Sequence, residues 1–128
     1  MHTLGISMES VGRGKVVLSL PFREDLTQQH GFLHAGIATT ALDSACGYAA
    51  LSMMDPGSDV LSVEFKVNLL APARGAYFRA VAQVVRAGGT LTVVTAEMRA
   101  YQSTDPDAGH AVTAIMTATM MAMRERRP

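Results

Sequence analysis

The chain of 128 residues has one cysteine, Cys46. A single thiol excludes an internal disulfide and suits a reducing compartment. Neither sign of charge is in excess: Lys and Arg total 11, and Asp and Glu total 11. A general nucleic-acid binder needs a basic face to neutralise phosphates, so that class is excluded. The basic end, Arg124, Arg126 and Arg127, is interrupted by Glu125 and reads as a solvated terminus. The opening MHTLGISMES has no basic region followed by an apolar core. No secretory signal is therefore visible, and a cytoplasmic location is expected. Internal repeats and low-complexity segments are absent.

What is present suffices for a core. The apolar fraction is 48%, and the length suits one domain spanning 1–128. The chain is organised around QQHGFLHAGIATTALDSACGYAALSMM, from Gln28 to Met54. The part after Gly31 and up to Asp55 reads as one helix, stopped by Asp55-Pro56-Gly57. Between Ala35 and Met54 its one charge is Asp43, set among Ala, Gly, Ser, Thr and Cys. A helix apolar on nearly every side belongs inside a protein or a membrane. The 35–54 stretch has about the length of a bilayer span. Asp43 near its middle, beside Thr39, Thr40 and Ser44, makes that costly, so no membrane span is expected.

The rest alternates like half-buried strands. Residues 3–10 and 14–20 form two short strands around Val11-Gly12-Arg13-Gly14. Pro21 to Gln29 is polar and irregular. In 60–70, Leu61, Val63, Phe65, Val67 and Leu69 alternate with Ser62, Glu64, Lys66 and Asn68, a strand with one buried face. Residues 76–86, 91–101 and 110–122 form three more strands, separated by Ala87-Gly88-Gly89 and by a loop at 103–109. Short turns make the last four strands antiparallel neighbours in sequence order. The expected fold is α+β: one long central helix wrapped by a curved six-stranded antiparallel sheet. One sheet cannot hide the whole helix, so a second copy of the chain is the expected further cover.

The helix start at His34-Ala35-Gly36 offers backbone N–H groups and positive potential, suited to a developing oxyanion. Any helix has such an end, and most hold only water or a cap. Asp43 is eight residues beyond Ala35, about 12 Å along the axis. The two cannot meet at one bond within one chain. If both act, they come from two chains with antiparallel helices. Asp43 could equally be a carboxylate buried on backbone N–H groups or a Ser. His30 and His34 are four apart, but Gly31 intervenes and no third ligand is apparent, so no metal or cofactor is expected. Cys46, without a suitably placed His, reads as packing. The Met residues of 116–123 either line an acyl tunnel or fill the core.

Laid out together, these residues resemble the hotdog-fold acyl-CoA thioesterases, in particular the phenylacetate-pathway (PaaI-like) branch. The family pattern is a polar Asn or Gln, then His-Gly-Gly, then an acidic residue nine positions after the His and a run of small residues. Here these are Gln28, His34-Ala35-Gly36, Asp43 and SACGYAA. The segment VLSVEFKVNLLAPARGA is similar to the family's strand after the helix. The resemblance covers essentially the whole chain. It implies hydrolysis of an acyl-CoA substrate by a homodimer, and a dimer of dimers beyond it. The Ala35 N–H would polarise the thioester carbonyl, and Gln28 would position carbonyl or water. Asp43 of the partner chain would be general base or nucleophile, with Ser62 orienting it or the water. His34 and Gly36 would line the substrate. Arg86 and the turn Gly88-Gly89-Thr90 fall where the family meets the CoA phosphates. Ala35 departs from the family's Gly. The donated N–H survives if the residue is helical, and the change fails if that Gly serves a positive φ or close approach of substrate, which is what keeps a non-catalytic reading open. Two rivals share the fold: a non-catalytic acyl-CoA sensor, and a hydratase. The hydratase pattern resembles an Asp and a His about five residues apart, and no His follows Asp43 until His110.

Overall fold

The computed structural model describes residues 5–21, 33–103 and 109–124. Its elements are β1 (Ser7–Gly12), β2 (Lys15–Pro21), α1 (Ala35–Leu51), β3 (Asp59–Leu69), β4 (Tyr77–Ala87), β5 (Leu91–Tyr101) and β6 (Ala111–Met123). The six strands form one antiparallel sheet in the order β1-β2-β4-β5-β6-β3. Helix α1 packs on one face and touches β2 through β6.

The helix is shorter at both ends than its apolar run. Leu33 donates its N–H to Ala73 O at 2.8 Å, and His34 is extended, so the helix starts at Ala35. At the other end Met53 and Met54 donate to carbonyls three residues back. Ser52 Oγ accepts the Gly14 N–H at 2.8 Å, which anchors the helix end to the β1–β2 turn. Gly57, at φ 84°, completes the reversal. No helix among the described residues is long and apolar enough to cross a bilayer.

Two expectations about the strands need correction. β3 does not lie beside β4; it pairs with β6 at the edge of the sheet. The chain after β3 bends away at Pro72, and the Leu70 and Ala71 N–H groups bond to Thr113 O of β6, at 2.9 and 3.2 Å. Nor does β3 keep one alternation. Its register slips between Ser62 and Glu64, which makes Val63 a bulge. Directly paired residues share a face. Ser62 is opposite Met120, Phe65 opposite Ala118 and Val67 opposite Met116, all three partners being buried against the helix. Leu61 therefore shares the outer face with Glu64 and Lys66, and Ser62 turns inward.

The core joins Ala38, Ala41, Leu42, Ala45, Cys46 and Ala49 of α1 to Phe78, Val94, Met98, Met116 and Met120 of the sheet. The small helix residues let the sheet backbone come close. Met116 and Met120, each at most 1% exposed, fill the core. The face of α1 bearing Gly36, Thr40, Asp43 and Gly47 turns away from that core. Beside it runs β3, where Phe65 and Leu69 stay 45% and 58% exposed although they point to the helix side.

Candidate active site

The helix start is capped by its own neighbour. His34, at φ −62° and ψ 135°, accepts the Gly36 N–H on Nδ1 at 3.2 Å. Its carbonyl takes the Ile37 and Ala38 N–H groups at 3.0 and 3.1 Å. The Ala35 N–H has no acceptor among the described residues. Among those residues only glycines have positive φ, so Ala35 holds ordinary helical dihedrals. The methyl group that replaces the family's Gly leaves the donor in place. Gln28 and His30 lie outside the described residues.

Asp43 is half-buried in mid-helix. Ser62 Oγ donates to Asp43 Oδ1 at 2.8 Å and also lies 3.4 Å from Met120 Sδ. A donor to one carboxylate oxygen holds the group in one rotamer. The bulge at Val63 brings the two together, because an unbroken alternation would put Ser62 on the same face as Glu64. Cys46 lies below them, fully buried. Burial, with a smaller effect from the Asp43 charge, pushes its thiol up to about 12. It stays protonated at neutral pH and is no nucleophile.

At the far end of the helix the β4–β5 hairpin closes tightly. Gly88 donates to Leu91 O at 2.8 Å, and a Cβ on Gly88 would stand 2.6 Å from that oxygen. Gly89 O accepts from Arg124 Nη2 at 2.7 Å. The turn, Arg124, Met53, Met54 and Asp55 border a cleft of about 210 Å³. Arg86 does not line it. A bulge at Val85 pairs Arg86 with Val93, on the sheet face away from buried Val94. Arg124 is the cation at this turn. By sequence it belongs to a solvated end, and its contact with Gly89 exists because β6 lies between β3 and β5.

A second cavity, of about 370 Å³, opens beside Ala35 at the helix start. The β3–β4 connection and the start of β6 wall it, through Leu70, Ala73 and Thr113 among others. Period-2 patterning gave no sign of it, because its walls come from three separated segments. The structure thus joins Asp43 to Ser62 and His34 to Gly36. It keeps Ala35 and Asp43 apart within one chain. Among the described residues no group of three His, Cys, Asp or Glu is arranged to hold a metal.

Residues 30–106 match the family profile described as the thioesterase superfamily. The chain belongs to that superfamily. It is a thioester hydrolase of hotdog fold. A thioesterase family protein from Silicibacter pomeroyi shares 51% identity, with a TM-score of 0.91 over 98% of this chain and 89% of that one. The 1,4-dihydroxy-2-naphthoyl-CoA hydrolase of Listeria monocytogenes is 30% identical over 72% of this chain and 75% of its own length. The PaaI protein from the phenylacetic acid degradation operon of E. coli has the same fold, with a TM-score of 0.79 at 20% identity over 95% of this chain and 82% of that one. Further relatives of this thioesterase are matched over 60% to 62% of their own length.

Proposed function

We propose that this thioesterase hydrolyses a CoA thioester at a site shared by two subunits. The observation that carries the reading is the Ser62–Asp43 hydrogen bond, on the helix face that the sheet leaves uncovered. The Ala35 N–H of one subunit, which has no other acceptor among the described residues, polarises the thioester carbonyl. Asp43 of the partner subunit acts as general base. Ser62 occupies Oδ1, and the second oxygen takes the proton of the attacking water. The water oxygen bonds to the acyl carbon, the C–S bond breaks, and the CoA sulfur leaves with the proton. Gln28 positions carbonyl or water, and His34 and Gly36 line the substrate. The Gly88-Gly89-Thr90 turn meets the CoA phosphates with Arg124, and Arg86, on the other face of the sheet, takes no part there.

The dimer follows from the same requirement. Ala35 and Asp43 lie about 12 Å apart along one helix, so one chain cannot bring both to one carbonyl. An eleven-residue edge strand with exposed Leu61, Val63 and Phe65 is a ready surface for a second copy. The helical backbone of Ala35 supports the hydrolase over a non-catalytic sensor, because the N–H stays available to a carbonyl.

The test is thiol release from a panel of CoA thioesters, phenylacetyl and hydroxybenzoyl through medium-chain, with wild type beside Asp43→Asn. Turnover by wild type and its loss in the variant are expected. No turnover on any member, with the esters still raising Tm, would leave the sensor instead. Light scattering reads the dimer, and whether two dimers join. A single turnover in ¹⁸O-water leaves the label in the acid and none in Asp43.

A further inference from the structure

Ser62 is an exposed residue whose hydroxyl nevertheless keeps to Asp43. An exposed serine ordinarily divides its time among three staggered positions of χ1, with water satisfying the hydroxyl in each. The strand gives little help here. The ladder slips just past Ser62, at Val63, and a bulge leaves its backbone less firmly paired than a regular strand.

The second contact of Ser62 is a buried one. Met120 Sδ lies 3.4 Å from Oγ, and Met120 is 0% exposed. Met120 stands directly opposite Ser62 of β3 and directly opposite Thr92 of β5, so the sheet holds its backbone from both sides. In a close-packed interior its side chain has little room to withdraw. The hydroxyl hydrogen goes mainly to the carboxylate, the stronger acceptor. The thioether is a weak, polarisable acceptor and takes the minor share of a three-centre bond. Both contacts belong to one position of χ1, and a rotation that gave the hydroxyl to water would forfeit both. For packing alone a leucine would serve as well. Met116 of the same strand, 1% exposed, faces Val67 instead.

We infer that Met120 is a positioning residue for the hydrolysis: its thioether holds the Ser62 hydroxyl in the rotamer that donates to Asp43. Met120 touches neither substrate nor water and acts only through Ser62. The inference rests on the proposed role of Asp43 as general base. Met120 then matters to kcat and not to KM. An unheld Ser62 leaves the carboxylate free to turn from the attacking water, while the contacts that bind the thioester stand.

The experiment is a double-mutant cycle. Met120→Leu should lower kcat about two- to fivefold, the scale of one weak hydrogen bond, and leave KM unchanged. Met116→Leu should change neither. Met120→Leu combined with Ser62→Ala should be no slower than Ser62→Ala alone, since no hydroxyl remains to hold. The same fractional loss with and without the Ser62 hydroxyl, or an equal loss in Met116→Leu, would overturn the inference. Norleucine in place of every methionine puts CH₂ for each sulfur at unchanged chain length, so a leucine variant that folds badly does not end the test. The rate with Ser62 present should again fall, and the rate of Ser62→Ala should not; equal falls overturn the inference. A crystal structure of Met120→Leu needs no turnover. Ser62 should stand in a second rotamer, off Asp43, and a Ser62 still bonded to Asp43 would overturn the inference. Ser62 displaced with kcat intact would instead defeat the proposed catalytic use of Asp43 and Ser62, and leave the hold of Met120 on Ser62 standing.

Discussion

Ser62 reaches Asp43 across 2.8 Å because β3 skips one residue at Val63. The bulge takes a serine that strict alternation would turn outward and sets it against a helix carboxylate. Positioning makes the two side chains separable by mutation. Asp43→Asn should lower kcat by about 10²–10⁴-fold, the usual scale for a lost general base. Ser62→Ala should cost about tenfold in kcat with little change in KM, since it removes one orienting hydrogen bond of about 1–2 kcal/mol. Steady-state kinetics on folded variants checks both. Equal losses would mean that the two act as one unit.

The two-fold axis of the proposed dimer can be placed from the helix alone. If Ala35 of one subunit meets Asp43 of the other, the helices cross near the midpoint of those positions. Thr40 is the exposed residue there, and among the described residues its hydroxyl bonds its own helix, at Gly36 O. Thr40→Cys should therefore form an intersubunit disulfide under mild oxidation, seen as a dimer band on a non-reducing gel. Tyr48→Cys, on the same helix but away from the axis, should not. The reverse pattern would exclude the shared site.

Cys46 should leave a signature in alkaline stability. Its thiol rises from 9.0 to about 12 in the folded protein, through burial first and the Asp43 charge second. A raised value favours the protonated form in the fold. That contribution is complete below pH 9 and is lost progressively as pH climbs towards 12. Wild type should lose about 1.4 kcal/mol per pH unit more than Cys46→Ala within that window. Urea midpoints of both proteins between pH 8 and 11 give the difference, and parallel curves would refute it.

Gly88 is a stability position as well as part of the proposed CoA-binding turn. A Cβ would stand 2.6 Å from the Leu91 carbonyl, a backbone atom that cannot step aside. Gly88→Ala should open the hairpin at a cost of about 1–3 kcal/mol. Gly89→Ala, with nothing within 4 Å of the added carbon, should cost less than a third of that. Denaturant midpoints rank the pair.

Much was legible before any coordinates. The uncharged run around Asp43 marked the helix, and Asp55-Pro56-Gly57 marked its end to within a few residues. Glycine turns and period-2 runs located six strands. Motif spacing picks out Ala35 and Asp43, and their separation calls for two chains if both act. These features are local, written in the periodicity and turn chemistry of neighbouring residues. The partner of β3 was not legible, because an alternating strand reads alike beside β4 or β6. Nor were the bulges at Val63 and Val85. A bulge exists only relative to the strand opposite, so one strand's own pattern does not announce it. Those bulges turn Ser62 inward and Arg86 outward. The sequence by itself determined which elements form and which residues carry reactive groups. Only the tertiary structure decided which face each group reaches, because facing depends on register across the sheet.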